Sequence, residues 1–160
     1  VLMTVHSDGI SALDDRVRGA QEILGPRGVT WRLLTTGAEA EAAAQAIGEA
    51  LRSDPHLSGV LCSGQADSEG AGVAVERSTT DRKPLVAGYD LSPTILRLVE
   101  QGTIAFTIDQ QPYMQGFYPV VQLALWRRYG IRPSNIDAGA TLITAENVEQ
   151  VRALSAAGYR

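Results

Sequence analysis

Polar side chains suited to binding hydroxyl groups directly follow two apolar stretches of this sequence. Asp90 comes immediately after the run LVAGY, and Gln110 stands in the stretch TIDQQP. A carboxylate accepts charge-assisted hydrogen bonds from two adjacent hydroxyls, and a primary amide bridges neighbouring hydroxyls because it is both donor and acceptor. Tyr89 offers a flat apolar face next to the carboxylate. These residue types predict recognition of a hydroxylated small molecule.

Each polar residue also has a structural interpretation. Asp90 could instead cap the helix that the stretch SPTILRLVEQG predicts, and Gln110 could satisfy backbone groups at a strand end. Arg16 lies in LDDRVRGAQEIL beside two acids and a second arginine, a grouping typical of a solvated helix face. The residue types by themselves leave both interpretations open.

The elements that would position these residues alternate regularly along the chain. Short β-rich runs occur at VLMTV, TWRLLT, GVLCS, PLVAGY, IAFTI and ATLIT. The intervening patterns predict helices near Ser11 to Leu24, Ala38 to Ser53, Asp67 to Arg77, Pro93 to Gln101, Gln115 to Tyr129 and Ala145 to Ala157. Because a right-handed crossover returns the chain through a helix, this order predicts an α/β fold with a doubly wound, mostly parallel six-stranded sheet and helices on both faces.

In such a sheet, ligands bind beyond the carboxyl ends of the strands, so the residues just after each strand matter most. Those positions are small, polar and rich in hydrogen-bond acceptors. They read His6-Ser7-Asp8, Thr36-Gly37-Ala38, Ser63-Gly64-Gln65, Tyr89-Asp90-Leu91 and Asp109-Gln110-Gln111. This edge is the predicted binding site.

Composition narrows the class of protein. The 160 residues fit one domain, and 14 Lys and Arg against 18 Asp and Glu give a net charge of -4 without a basic cluster, which argues against nucleic acid as a partner. The single cysteine, Cys62, lies in an apolar run and is expected to be buried. No run approaches the ~20 apolar residues of a membrane span. The amino terminus lacks signal-peptide features and opens in strand-like sequence, so we expect that an upstream segment was removed.

The motifs of several enzyme classes are incomplete. The stretch LCSGQ has only part of a nucleophile elbow, and His6 or His56 would have to serve any triad. The glycines of SEGAGVAV do not have phosphate-loop spacing, so Gly70 and Gly72 are predicted to let their helix pack closely on the sheet. Lys83, the only lysine, precedes its strand, unlike the late lysine of a phosphoacceptor domain. We therefore expect no catalysis, no cofactor and no metal.

Four segments resemble one family. The stretches DDRVRGAQ, DPHLSGVLCSGQADSEGAGVAV, PLVAGYDLSPTILRLVEQGTIAFTIDQQPYMQG and ATLITAENV look like the carboxy-terminal part of a type I periplasmic sugar-binding protein, the solute receptor of a ribose-like ABC importer. The resemblance runs from Val1 to about Val151. Its most specific element is Gly88-Tyr89-Asp90 followed, after one helix, by a glycine and the strand TIDQQPYMQG.

The resemblance implies roles for individual residues. Arg16, in an Arg-x-x-Gly-Ala pattern, and Asp90 would hold sugar hydroxyls, Gln110 matches the glutamine of the hinge strand, and Tyr89 would stack on the sugar ring. Gly64 and Gln65 stand where the family commonly places Asn-Asp or a similar polar pair. They complete the predicted ligand-binding set, although their side chains depart from the family pattern.

The resemblance also divides the chain. Residues 1–110 would form the carboxy-terminal lobe of a two-lobe protein, 111–138 a hinge and a helix that packs on the other lobe, and 139–160 a return strand and terminal helix. The apolar side chains of that helix go around it rather than along one stripe, and leaving each in water costs roughly 1.5–3 kcal/mol. They are Phe117, Tyr118, Val120, Val121, Leu123, Leu125 and Trp126. We expect a fragment of a longer receptor that dimerises, swaps this helix or folds it back on its own sheet.

The function implied by the resemblance is sugar or polyol binding for import. The partners would be the sugar and an ABC permease, and the compartment would be extracytoplasmic, either periplasmic or membrane-tethered. The alternative is the effector domain of a LacI-type repressor, which shares the fold. An upstream helix-turn-helix would favour regulation, and a signal peptide or lipobox would favour transport.

Overall fold

Strands and helices alternate along the chain as predicted. The computed structural model describes residues 1–79 and 83–160. Its strands are β1 (Leu2–Val5), β2 (Arg32–Thr35), β3 (Gly59–Cys62), β4 (Leu85–Tyr89), β5 (Phe106–Asp109) and β6 (Thr141–Ile143). Its helices are α1 (Ser11–Leu24), α2 (Ala40–Ser53), α3 (Gln65–Arg77), α4 (Pro93–Glu100), α5 (Pro112–Tyr129) and α6 (Val148–Ala156), with a 3-10 turn at Gly25–Arg27.

The six strands form one mostly parallel sheet in the order β2-β1-β3-β4-β5-β6. The first five strands are parallel, whereas β6 is antiparallel to β5. Thr141, the first residue of β6, pairs with Asp109, the last residue of β5. The chain therefore leaves β5 and enters β6 at the same end of the sheet, so β6 runs in the opposite direction.

The main core lies on one face of the sheet. Helices α2, α3, α4 and α6 cover this face with apolar side chains that interlock with alternate residues of the strands. The largest fully buried members of the cluster are Leu2, Ile47, Ile95, Leu96, Leu98, Ile104 and Ile143. A closed core on this face holds the strand ends in a constant arrangement.

The opposite face carries α1 and an open groove of about 500 Å³. Its floor consists of the strand residues that alternate with the core positions, including Met3, Leu61, Ala87 and Phe106, and its wall includes Val17 of α1. The predicted placement of helices on both faces is confirmed, but the two faces are covered unequally. The polar end of this groove is the carboxyl edge of the sheet.

Two glycines of α3 permit close packing between helices. A Cβ atom on Gly70 would lie 2.5 Å from the Cβ of Ala43 in α2, and one on Gly72 would lie 2.5 Å from Cδ1 of Leu98 in α4. The prediction that Gly70 and Gly72 pack against the sheet is therefore wrong about the partner. Their missing side chains bring α2 and α4 close to α3, because backbone without a Cβ lets a neighbouring helix approach.

Helix α5 leaves its apolar side chains unburied. It begins at Pro112, which favours the first turn of a helix, and none of its residues is buried. Val120 is 68% exposed and Trp126 is 55% exposed. The helix is therefore not folded back onto the sheet, which was one of the three expected outcomes. None of the helices in the described ranges has the length and apolar character needed to cross a membrane.

The glycine contacts give a test of the helix packing. We expect Gly70→Ala to lower the free energy of unfolding by about 1–3 kcal/mol, because the added methyl overpacks the contact with α2. Gly19→Ala in α1 is the matched control, since no atom lies within 4 Å of its added Cβ and its φ is ordinary. It should raise stability by about 0.4–1 kcal/mol. Urea unfolding measures both, and equal effects would contradict the close approach of α3 to α2.

Candidate functional site

The predicted ligand-binding residues lie at the carboxyl edge of the parallel strands. β1 lies between β2 and β3, so the order of the strands reverses beside it. Open α/β sheets bind ligands in the crevice at such a reversal. Arg16 reaches this crevice from α1, and Ser63 lies there directly after β3.

Arg16 connects the ends of three neighbouring strands. Its Nη1 donates to the carbonyl oxygen of Ser63 at 2.6 Å, and its Nη2 donates to Oε1 of Gln110 at 2.8 Å. Its guanidinium carbon lies 4.2 Å from the centre of the Tyr89 ring, within cation–π distance. The interpretation of Arg16 as part of a solvated helix face is wrong, because the side chain is partly buried and directed at the sheet.

Gln110 connects Arg16 to Asp90 through the amide of its side chain. Its Nε2 donates to Oδ1 of Asp90, while its Oε1 accepts from Arg16. Gln115, in the first turns of α5, donates from Nε2 to the backbone oxygen of Gln110 at 2.6 Å. The amide of Gln110 thus uses its acceptor toward Arg16 and its donor toward Asp90, and the bridging of ligand hydroxyls by this amide stays a prediction.

The backbone of Asp90 adopts a left-handed conformation with φ 68°. Its N–H donates to the oxygen of Ile108 at 3.0 Å, and its carbonyl accepts from Oγ1 of Thr107 at 2.8 Å. The helix-capping alternative for Asp90 is wrong, since the Ser92 hydroxyl accepts from the N–H of Ile95 and caps α4 itself. Non-glycine residues held in this region cluster at functional sites.

Gly64 and Gln65 lie at the same edge but outside the contacts that join the other four residues. A Cβ atom on Gly64 would lie 2.8 Å from Nδ1 of His6, so the imidazole occupies the space of a side chain there. Gln65 is exposed and donates to Glu69 of its own helix at 3.2 Å. Ligand contacts by Gly64 and Gln65 stay predictions.

A buried acid, Asp67, is the part of the site that the sequence did not reveal. Its Oδ2 accepts from Oγ1 of Thr4 and from the N–H of Ser63, both at 2.7 Å, and the residue is fully buried. In the sequence it has the features of an ordinary first-turn acid of α3. Only the approach of α3 to β1 and β3 shows that its carboxylate lies beneath the strand ends.

Burial changes the acidity of two neighbouring groups. Loss of hydration raises the pKa of Asp67 above its ordinary value, although the hydrogen bonds from Thr4 and Ser63 oppose the change. Burial is the main cause of a raised pKa of the Cys62 thiol, and the nearby carboxylate of Asp67 is the second cause. Cys62 is 6% exposed, so its prediction as a buried small residue is confirmed, and its thiol stays protonated.

The structure assembles neither a triad nor a metal site in the ranges it describes. Among those residues, Oγ of Ser63 and Nδ1 of His6 have no hydrogen-bond partner. His56 precedes β3 and therefore lies at the other edge of the sheet. No group of three His, Cys, Asp or Glu side chains is arranged to hold a metal ion within 1–79 and 83–160.

The joined residues can exchange their mutual hydrogen bonds for bonds to a diol. One hydroxyl can accept from the Arg16 guanidinium while its neighbour donates to the Asp90 carboxylate. The ring of Tyr89 lies beside the Arg16 guanidinium and can cover the apolar face of a sugar ring. No covalent bond needs to be made or broken for this recognition.

The chain belongs to the periplasmic binding protein domain family, whose family model matches residues 1–125. The predicted resemblance to these receptors is therefore confirmed. Xylose/arabinose-binding protein XylF of Sulfolobus acidocaldarius is 29% identical over 156 residues, which are 93% of this chain and 39% of that protein. The chain thus spans well under half the length of this curated relative.

Solved structures with the same fold carry sugar or cyclitol ligands. A carbohydrate transporter from Acidothermus cellulolyticus 11B in complex with myo-inositol has a TM-score of 0.87 and 24% identity, over 99% of this chain and 55% of that one. A solute-binding protein from Agrobacterium radiobacter in complex with D-arabinose has a TM-score of 0.82 and 23% identity, over 96% of this chain and 54% of that one. These likenesses confirm the predicted fold.

The left-handed backbone at Asp90 gives a second test. Alanine at this φ costs roughly 1–2 kcal/mol, whereas glycine adopts it freely. We expect Asp90→Gly to be more stable than Asp90→Ala by about 1 kcal/mol in urea unfolding, although both remove the carboxylate. Exposed Ala105, whose φ is ordinary, is the control, because Ala105→Gly should destabilise. An Asp90→Ala variant as stable as Asp90→Gly would contradict the assigned conformation.

The raised pKa of Asp67 predicts a pH dependence of stability. In the unfolded chain this carboxyl titrates near its ordinary value of about 3.9, so the folded protein retains the proton to higher pH. The stabilisation from Asp67 is therefore fully present below the pKa of the unfolded state, and it is lost as the pH rises through the higher pKa of the folded state. Stability measured from acid to neutral pH should increasingly favour Asp67→Asn over the parent.

An exposed acid supplies the control for this pH series. Glu146→Gln should leave the difference from the parent nearly constant over the same pH range, because Glu146 is exposed. A parent that gains on Asp67→Asn as the pH rises would show that the hydrogen bonds to the carboxylate outweigh its burial.

Proposed function

We propose that this chain is a solute-binding part of a sugar ABC transporter, with a monosaccharide or polyol bound at the carboxyl edge of its sheet. One observation carries the proposal. The Arg16 guanidinium contacts both the Tyr89 ring and the Gln110 amide, and that amide contacts the Asp90 carboxylate. A cation, an anion, an amide and an aromatic ring at one strand edge are suited to a neutral polyhydroxylated ligand.

In this proposal Arg16 and Asp90 bind hydroxyls of the ligand, and Gln110 keeps these two side chains in position. Tyr89 covers the sugar ring. Gly64 contributes through its backbone, and Gln65 would approach from the first turn of α3. The role is recognition without catalysis, and it requires no cofactor and no metal. The family to which the chain belongs supports a receptor rather than an enzyme.

The unpacked helix α5 supports a two-lobe receptor. We assign residues 1–110 to one lobe, 111–138 to a hinge and a helix that packs on a second lobe, and 139–160 to the return strand and last helix. Gln111 and Gly130, at the two ends of α5, have φ values of 52° and 70°, so the chain turns sharply there. Closure of two lobes around a sugar would be stabilised by the ligand's higher affinity for the closed form.

A role in sugar import implies a permease partner and an extracytoplasmic location. The closed receptor would deliver its sugar to an ABC permease, on the extracytoplasmic side of the membrane. The functions of the relatives, sugar binding and carbohydrate transport, favour this role over the LacI-type effector domain. A dimer or a swapped α5 is a further expectation for the separate chain, motivated by the exposure of that helix.

The test is titration of the isotope-labelled chain with xylose, arabinose and myo-inositol, followed by NMR. We expect millimolar rather than micromolar affinity, because residues 1–160 supply the contacts of only one lobe. Shifts should concentrate at the amides of Ser63, Tyr89, Asp90 and Gln110. Asp90→Asn should weaken binding about tenfold or more, since hydrogen bonds to charged groups contribute about 1.5–3 kcal/mol.

Asp54→Asn, at the amino edge of the sheet, is the matched control and should bind like the parent. Shifts located away from the carboxyl edge, or unchanged in Asp90→Asn, would contradict the assigned site. Micromolar affinity in calorimetry would contradict the two-lobe part of the proposal and leave the site assignment in place.

A further inference from the structure

A hydrogen-bond chain joins the buried carboxylate of Asp67 to the guanidinium of Arg16. The N–H of Ser63 donates to Oδ2 of Asp67 at 2.7 Å, and the carbonyl oxygen of the same residue accepts from Nη1 of Arg16 at 2.6 Å. Both polar backbone groups of Ser63 are therefore used, one toward the core and one toward the site. The position of the Arg16 contact depends on how firmly Ser63 is held.

Asp67 is itself fixed on several sides. Its Oδ2 also accepts from Oγ1 of Thr4 in β1 at 2.7 Å, and the residue is fully buried at the start of α3. A Cβ atom on Gly64 would lie 3.3 Å from its Oδ1 and 2.8 Å from Nδ1 of His6. Any side chain at position 64 would displace the imidazole and crowd the carboxylate. The glycine thus preserves the placement of Asp67.

The carboxylate is costly where it lies. Its Oδ1 is buried without a hydrogen-bond partner among the described residues. An ionisable group that is only half satisfied in a closed core destabilises a fold relative to an apolar side chain of similar size. Capping of α3 does not require such burial, since exposed acids and hydroxyls perform that task. The arrangement indicates a use connected with the neighbouring site.

We propose that Asp67 is a positioning residue, which holds the backbone of Ser63 at its N–H so that the carbonyl of the same residue orients Arg16 for the ligand. The inference rests on the proposed function in so far as Arg16 binds the ligand. The orienting step itself concerns only this chain. Arg16 needs the anchor because its other contacts, Gln110 and Tyr89, are side chains that a ligand would displace or share. The Ser63 carbonyl is the backbone contact that remains constant.

A purely structural Asp67 makes a different prediction. If the carboxylate served only to cap α3, its removal would lower stability and leave the order of the Arg16 side chain unchanged. If it positions Arg16, removal frees the Ser63 N–H and loosens the guanidinium even where the protein is fully folded. The order of the Arg16 side chain separates the two roles, and it is measured without any ligand.

The experiment compares the parent, Asp67→Ala and Asp67→Asn by NMR of arginine side chains well below the unfolding temperature. In Asp67→Ala we expect the heteronuclear NOE of Arg16 Nε to fall to the value of the exposed Arg132. Exchange of the Ser63 N–H should accelerate at least tenfold in the same variant. Asp67→Asn keeps a carbonyl oxygen that can accept from Ser63, so it should restore both properties.

Asn147→Ala is the matched control, because Oδ1 of Asn147 accepts from the N–H of Thr144 at 2.8 Å in the same way at the start of α6. It should lower stability and leave Arg16 ordered. If Asp67→Ala does not fold, Asp67→Ser replaces it, since its shorter side chain is expected to lose Ser63. An ordered Arg16 in either variant overturns the proposal, and so does equal loosening in Asn147→Ala. Failure of every sugar to bind would overturn the proposed function and leave this result unaffected.

Discussion

The guanidinium of Arg16 joins the carboxyl ends of three strands. It contacts a carbonyl after β3, the ring at the end of β4 and the amide after β5. These contacts exist because the parallel order places the three strand ends side by side, and because the crossover after β1 brings α1 over them. The site is thus a consequence of topology, and it needs no insertion or special loop.

The unequal cover of the sheet separates stability from recognition. The face under α2, α3, α4 and α6 is densely packed, even to the point where Gly70 admits no Cβ. The face under α1 keeps an open groove that ends at the polar edge. A rigid core behind an open groove is an arrangement that holds polar groups in position without burying them.

Two features at this edge cost stability. The left-handed Asp90 is held by hydrogen bonds to Ile108 and Thr107, and the buried carboxylate of Asp67 is only partly satisfied. Proteins concentrate such costs where function requires a fixed geometry. The exposed apolar surface of α5, away from this edge, is a third cost, and it motivates the proposed packing of that helix on a further lobe.

The order of elements and the polar strand ends could be predicted from the sequence, because hydrophobic period, helix caps and turn residues act locally. The family could be predicted from Gly88-Tyr89-Asp90 and TIDQQPYMQG. The antiparallel direction of β6, the helix partners of Gly70 and Gly72 and the role of Asp67 could not. Each of these depends on which distant segment comes close, and α3 at β1 and β3 has no local signature. The sequence by itself therefore determined the elements and the chemistry at their ends. Only tertiary structure decided which ends meet, because contacts across the sheet arise from packing and not from residue type.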